Sequence, residues 1–219
     1  MPAAPAPFDA TMKPDTRHAV VAGPAGAIAC AIDEPAGAPS GLAVLCHPHP
    51  LHGGTMDNKV VQTLARAAVQ LGWRAVRFNF RGVGGSAGTW DEGRGEVDDA
   101  LAVIAAQRAA SPGLPLALAG FSFGGYVAAQ AADRLAAAGT PVQRLALIAP
   151  ATSRFTLPAQ VPDHTLVVHG EADDVVPLQA TLDWVRPQAL PVVVLPGVGH
   201  FFHGQLTLLK QIVVQAWRA

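Results

Sequence analysis

The stretch LPLALAGFSFGGYVAAQAADRLAAAG, residues 114–139, decides the fold. Residues 114–121 form a short apolar run of the kind that fills a strand buried on both faces. From Gly124 onward the apolar residues recur at helical spacing, and Gly139 supplies the stop. Ser122 lies between the two, inside Gly120-Phe121-Ser122-Phe123-Gly124. A serine on a tight strand-to-helix turn projects its hydroxyl above the sheet. It needs small residues two before and two after so that strand and helix can close together. The Phe123 amide, at the start of the helix, points to where an oxyanion would develop. G-x-S-x-G can arise by chance in a chain with 22 glycines. Its setting between strand and helix gives it meaning.

On either side of this stretch, strand-like and helix-like segments alternate. Strands are expected at 41–46, 73–80, 142–150, 164–170 and 190–197, with one or two irregular ones within 17–33. Helices are expected at 57–72, 92–110, 177–190 and from Gly204 to the end. This alternation predicts an α/β fold, with a mostly parallel sheet covered by helices on both faces. No composition shift or internal repeat marks a second domain, so 15–219 reads as one unit. Residues 1–14 read as a flexible Pro/Ala-rich tail without the basic and apolar regions of an export signal.

Composition narrows the function. Half of the 219 residues are hydrophobic, 14% are charged and the net charge is −1. That excludes bulk disorder and offers no electrostatic footprint for nucleic acid or an anionic membrane. No apolar run is long enough to span a bilayer. With Cys30 and Cys46 alone, a disulfide framework is excluded and a cytoplasmic setting is expected.

In open α/β sheets ligands bind beyond the carboxyl ends of the strands. Four such ends carry notable polar residues: HPHPLHGG (47–54), GFSFGG (120–125), HGEADD (169–174) and PGVGHFFHG (196–204). A serine hydroxyl needs a base to take its proton and a third group to orient that base. In this fold the chain order is serine, acid, histidine. Glu171, Asp173 and Asp174 are the acids at a suitable strand end, with Asp173 within the loop. His200 falls just past the last strand, whereas His203 is expected to begin the final helix.

The strings HPHPLHGGTMDNKV, FNFRGVGGS, AGFSFGG and GHFFHG, which span residues 47–204, resemble the small, lidless bacterial serine hydrolases of the α/β-hydrolase superfamily. The resemblance implies the α/β-hydrolase fold without a cap domain. It implies Ser122 as nucleophile, His200 as base and then acid, and Asp173 as the group that orients His200. It also implies a carboxylesterase-like activity, with no cofactor. An oxyanion hole needs a second amide beside that of Phe123. Pro48 and Pro50 have no amide hydrogen, which leaves His49 or Leu51, with His49 favoured. Pro48 stands where relatives often carry glycine.

Among His47, His49 and His52, the H-x-H pair His47 and His49 could suggest zinc, but no third ligand stands at an obvious spacing. They read instead as a proline-stiffened loop whose histidines bond to backbone, and no metal is expected. Gly82 to Ala87 nearly spells a dinucleotide fingerprint, but no long helix opens directly after it. It reads as a tight turn held by Asn79 and Arg81. Only 151–163 fill the gap where many relatives insert a cap, so the cleft should be open and short acyl esters preferred. Phe121, Trp90, Phe155 and Phe201 are the aromatics expected to line it. A thioesterase or acyltransferase, a small peptidase, or a non-catalytic binding module on the same scaffold are the alternatives. The expected partner is a small-molecule ester, with no nucleic acid and no membrane.

Overall fold

A computed structural model describes residues 16–218. The proposed tail, 1–14, lies outside the described residues. The chain runs β1 (Thr16–Gly23), β2 (Gly26–Asp33), β3 (Gly41–Cys46), α1 (Lys59–Gln70), β4 (Trp73–Phe78), α2 (Arg94–Ala110), β5 (Leu116–Phe121), α3 (Phe123–Ala137), β6 (Arg144–Ile148), β7 (Leu166–Gly170), α4 (Leu178–Val185), β8 (Val192–Leu195) and α5 (Leu206–Arg218). The strands form an eight-stranded sheet in the order β1-β2-β4-β3-β5-β6-β7-β8. The ladders from β4 through β8 are parallel, and β1 and β2 join as an antiparallel hairpin against β4. The irregular strands expected within 17–33 are therefore two regular ones. Alternation in this segment is blurred because alanines and glycines fill much of the hairpin.

Each buried strand feeds both faces of the sheet. In β5, Leu116 and Leu118 join one core with Val97, Val103, Val127 and Val185 from α2, α3 and α4. Ala117, Ala119 and Phe121 join the other, with Leu64 of α1 and Leu209, Val213 and Trp217 of α5. The connection after β3 runs to one face and that after β4 to the other. The order thus reverses beside β3 and β5, the point beyond whose carboxyl ends open α/β sheets bind their ligands.

Several boundaries moved for local reasons. Asn58 caps α1 by accepting the Val60 amide, so the helix starts at Lys59. The helix expected through 190 ends at Val185, because Pro187 forces a 3-10 turn over Arg186–Gln188. His203 lies in the turn before α5 rather than in the helix. Residues 151–165 make turns and coil, with no cap helix. Among the described residues no helix is long and apolar enough to cross a membrane.

Close approach dictates the centre. A Cβ on Gly124 would collide with the carbonyl oxygens of Cys46 and His47, and one on Gly120 with the Gly124 carbonyl. Gly124→Ala should therefore cost about 1–3 kcal/mol through overpacking. That corresponds to roughly 2–4 °C of melting temperature per kcal/mol. Gly37→Ala, where a Cβ meets nothing within 4 Å, is the control. Equal thermal melts for the two variants would refute the close-packing account.

Candidate active site

Ser122 joins β5 to α3 at φ 56° and ψ −118°. For a residue other than glycine this conformation costs about 1–3 kcal/mol. It is held from both sides. The Ser122 amide donates to the Ile148 carbonyl at 2.9 Å, and the Ser122 carbonyl accepts from the amides of Gly125 at 2.9 Å and Ala151 at 3.2 Å. As the first residue of α3, Phe123 has no intrahelical acceptor for its amide.

The loops after β7 and β8 are fastened to each other. Glu171 and Ala172 donate their amides to the carbonyls of Leu195 and Val198, each at 3.0 Å. A side chain at Gly170 would strike the Val198 carbonyl. This contact brings Asp173 beside His200. His200 Nδ1 lies 2.7 Å from Asp173 Oδ2, and its Nε2 lies 3.0 Å from Ser122 Oγ. An ionised carboxylate only accepts, so the hydrogen sits on Nδ1 and Nε2 is left to accept the serine proton. Of the three sequence candidates for the acid, Asp173 makes this contact. Glu171 instead accepts the Gly197 amide.

Asp173 is wholly enclosed at its side chain. Burial pushes its pKa up, but hydrogen bonds from His169, His200 and the Val176 amide outweigh that and hold it well below the usual carboxylate range. His169 is the residue that sequence reasoning missed. It is fully buried in β7, and its Nε2 lies 2.9 Å from the Val176 carbonyl and 3.3 Å from Asp173 Oδ2. Its only sequence signal was a histidine inside an apolar strand, four residues before the acid. Its Nδ1 is buried without a partner, at a cost of about 1–3 kcal/mol.

The loop after β3 forms the opposite wall. His49 Nδ1 accepts the Leu51 amide at 3.2 Å, capping the short 3-10 turn Pro50–His52. The Leu51 amide is thereby occupied. The His49 amide has no acceptor among the described residues. His47 is buried. Its Nδ1 is 2.6 Å from the Pro48 carbonyl, and its Nε2 accepts the Phe80 amide at 3.0 Å. Asn79 and Arg81 do secure the following turn. Asn79 Oδ1 accepts the Met56 amide and the Asn79 carbonyl accepts the Ser86 hydroxyl, while Arg81 pairs with Asp99. Burial pushes the thiol of Cys46 up, and that of Cys30 up to about 11, as suits inert core cysteines.

The expected aromatic lining divides. Trp90 and Phe155 gather with Phe123 around the His49 ring at centroid distances of 4.5, 6.1 and 5.2 Å. Tyr126, which the sequence did not flag, stacks on Phe155 at 4.9 Å. Phe121 is a correction. Because β5 alternates, its side chain points into the α1–α5 core, fully buried, and backs the His200 ring at 4.9 Å. Phe201 is exposed and stands edge-on to His200 at 5.1 Å.

The chain is 39% identical to XC6422 of Xanthomonas campestris, described as an α/β serine hydrolase without lid. The match covers 97% of each chain with a TM-score of 0.84. The chain belongs to the α/β-hydrolase superfamily. A Coxiella burnetii α/β serine hydrolase homologue is also 39% identical, over 94% of this chain and 99% of that one, with a TM-score of 0.81. The Rickettsia prowazekii protein RP471 is 32% identical, covering 74% of this chain and 71% of its own. The family described as serine aminopeptidase, S33 matches residues 49–156. The chain is thus a serine hydrolase of the α/β fold, of the lidless form.

The buried His47 provides a pH test. Burial lowers its pKa from 6.5 to about 4, against the Pro48 hydrogen bond that raises it. The unfolded chain therefore takes up this proton first. The stabilisation is complete above pH 6.5 and is lost as pH falls toward 4, by about 3 kcal/mol. Urea unfolding at pH 7 and pH 4.5 should show the loss, and His47→Gln should flatten it. An unchanged slope in the variant would remove His47 as the cause.

Proposed function

We propose that this chain is a carboxylesterase that cleaves short-chain esters through a Ser122–His200–Asp173 acyl-enzyme mechanism. One observation carries the reading: the continuous hydrogen-bonded path from Ser122 Oγ through the His200 ring to Asp173. His200 Nε2 takes the serine proton as Oγ attacks the ester carbonyl. The amides of Phe123 and His49 stabilise the oxyanion. As the tetrahedral species collapses, the alcohol leaves with the proton from His200. His200 then activates a water, which releases the acid and returns the proton to Ser122. Asp173 keeps His200 in the Nδ1–H form and stabilises the imidazolium.

The short-acyl preference rests on the coil at 151–165, too little chain to cover a long acyl group. Trp90, Phe155 and Tyr126 supply an apolar wall for the small groups that do bind. We further read residues 15–219 as one catalytic unit. The buried free thiols of Cys30 and Cys46 suit a reducing, cytoplasmic setting.

The experiment is hydrolysis of p-nitrophenyl esters from acetate to decanoate. Turnover should be highest for the short chains. Ser122→Ala should lower kcat/KM by roughly 10⁴-fold or more, and Asp173→Asn by about 10³–10⁴-fold. A preference for decanoate would overturn the open-site argument. Full activity in Ser122→Ala would overturn the mechanism.

A further inference from the structure

We propose that His169 is a positioning residue of this site: its Nε2–H, bonded to the Val176 carbonyl and lying against the Asp173 carboxylate, fixes the loop that aims Asp173 at His200. The inference rests on the esterase reading, in which Asp173 orients the base.

The atoms require the assignment. The Val176 carbonyl, 2.9 Å from His169 Nε2, can only accept. The hydrogen must therefore sit on Nε2, and in the neutral ring Nδ1 is bare. The same Nε2 is 3.3 Å from Asp173 Oδ2, so the N–H that bonds the Val176 carbonyl also lies against the carboxylate. Asp173 Oδ1 takes the amides of Val175 at 2.9 Å and Val176 at 2.8 Å. Oδ2 takes His200 at 2.7 Å. With His169, the carboxylate is met from both oxygens and from both ends of the loop. Rotating it away from His200 would break at least one of these bonds.

A histidine here does what a simple core residue could not. An apolar side chain would leave the buried Val176 carbonyl without this donor. A charged donor would sit 3.3 Å from the carboxylate and compete with the His200 imidazolium for its charge. A neutral N–H orients the carboxylate while leaving that charge to His200. The buried, unpartnered Nδ1 agrees with this division, since a proton placed there would meet no acceptor. His169 is fully buried and touches no substrate, so its effect passes through Asp173 alone.

Two variants separate positioning from bulk. His169→Phe fills the ring volume without a donor, whereas the His169→Gln side-chain amide returns an N–H near the Nε2 position. With p-nitrophenyl acetate, His169→Phe should lower kcat by roughly ten- to a hundred-fold with KM nearly unchanged. His169→Gln should recover most of that loss. A purely structural role would move the melting temperature of both variants while leaving kcat per folded molecule alone, and that result would overturn the proposal. A second readout needs no turnover. In ¹⁵N-histidine spectra of the wild type, His169 should show a protonated Nε2 and a bare Nδ1. A protonated Nδ1 would overturn the proposal. In ¹³C spectra, the Asp173 carboxyl should titrate at higher pH in His169→Phe than in the wild type, and an unchanged titration would count against it. If the wild type hydrolyses no ester, the esterase reading fails, while the spectra still decide the role of His169.

Discussion

The first turn of α3 lies so close to β3 and β5 that only glycine fits at 120 and 124. Everything at the catalytic end of the sheet depends on that contact. Strand and helix can meet this closely only if the chain reverses within one residue, and Ser122 adopts φ 56° to do so. The strain is small beside the burial of two cores. It is borne by backbone bonds to Ile148 and Ala151 that the neighbouring strand ends supply. The turn also leaves the Phe123 amide unpaired and sets it near the start of the β3 loop, whose carbonyls touch Gly124. Steric closeness, more than any attraction, thus places the Ser122 hydroxyl beside His200 and leaves the Phe123 amide without an intrahelical partner.

The remaining loops are rigid for a related reason. Each is tied to its neighbour through backbone groups rather than held down by a lid. His47 joins the β3 loop to Phe80 after β4. Ser122 joins β5 to β6. Glu171 and Ala172 join β7 to the segment carrying His200. A site with little covering it cannot rely on closure to organise its groups, so the organisation must exist beforehand. The strand ends provide it because parallel strands deliver their carboxyl termini side by side, about 4.8 Å apart.

Much of this was legible in the sequence. The alternation of strands and helices, the small residues around Ser122, and the serine–acid–histidine order all express strong local constraints. What escaped detection depended on the third dimension. Whether Phe121 faced the crevice or the core turned on the register of β5, and a buried strand is apolar on both sides. His169 looked like a stray polar residue in a strand, because its partners come from a loop whose path only the fold specifies. Tyr126 belongs to the crevice only because the first turn of α3 lies beside residues 151–155. That the Leu51 amide is taken up by the His49 ring depends on a side-chain cap, which proline content alone does not predict.

The electrostatic arrangement follows from these enclosures. His47 is held neutral by burial and by a partner on each ring nitrogen, one of them a donor that a second ring proton would displace. His169 spends its single N–H on the acid loop. The buried negative charge among these residues therefore belongs to Asp173, and three N–H groups bond it, with His169 Nε2 3.3 Å away, without neutralising it. In the proposed mechanism, when Ser122 yields its proton the new positive charge forms on a ring already 2.7 Å from that carboxylate. The carboxylate interacts more strongly with the imidazolium than with the neutral ring, so its influence grows as the reaction proceeds. A further cation in the same enclosure would weaken that difference. The neighbouring histidines contribute hydrogen bonds and shape while leaving the charge of Asp173 available to His200.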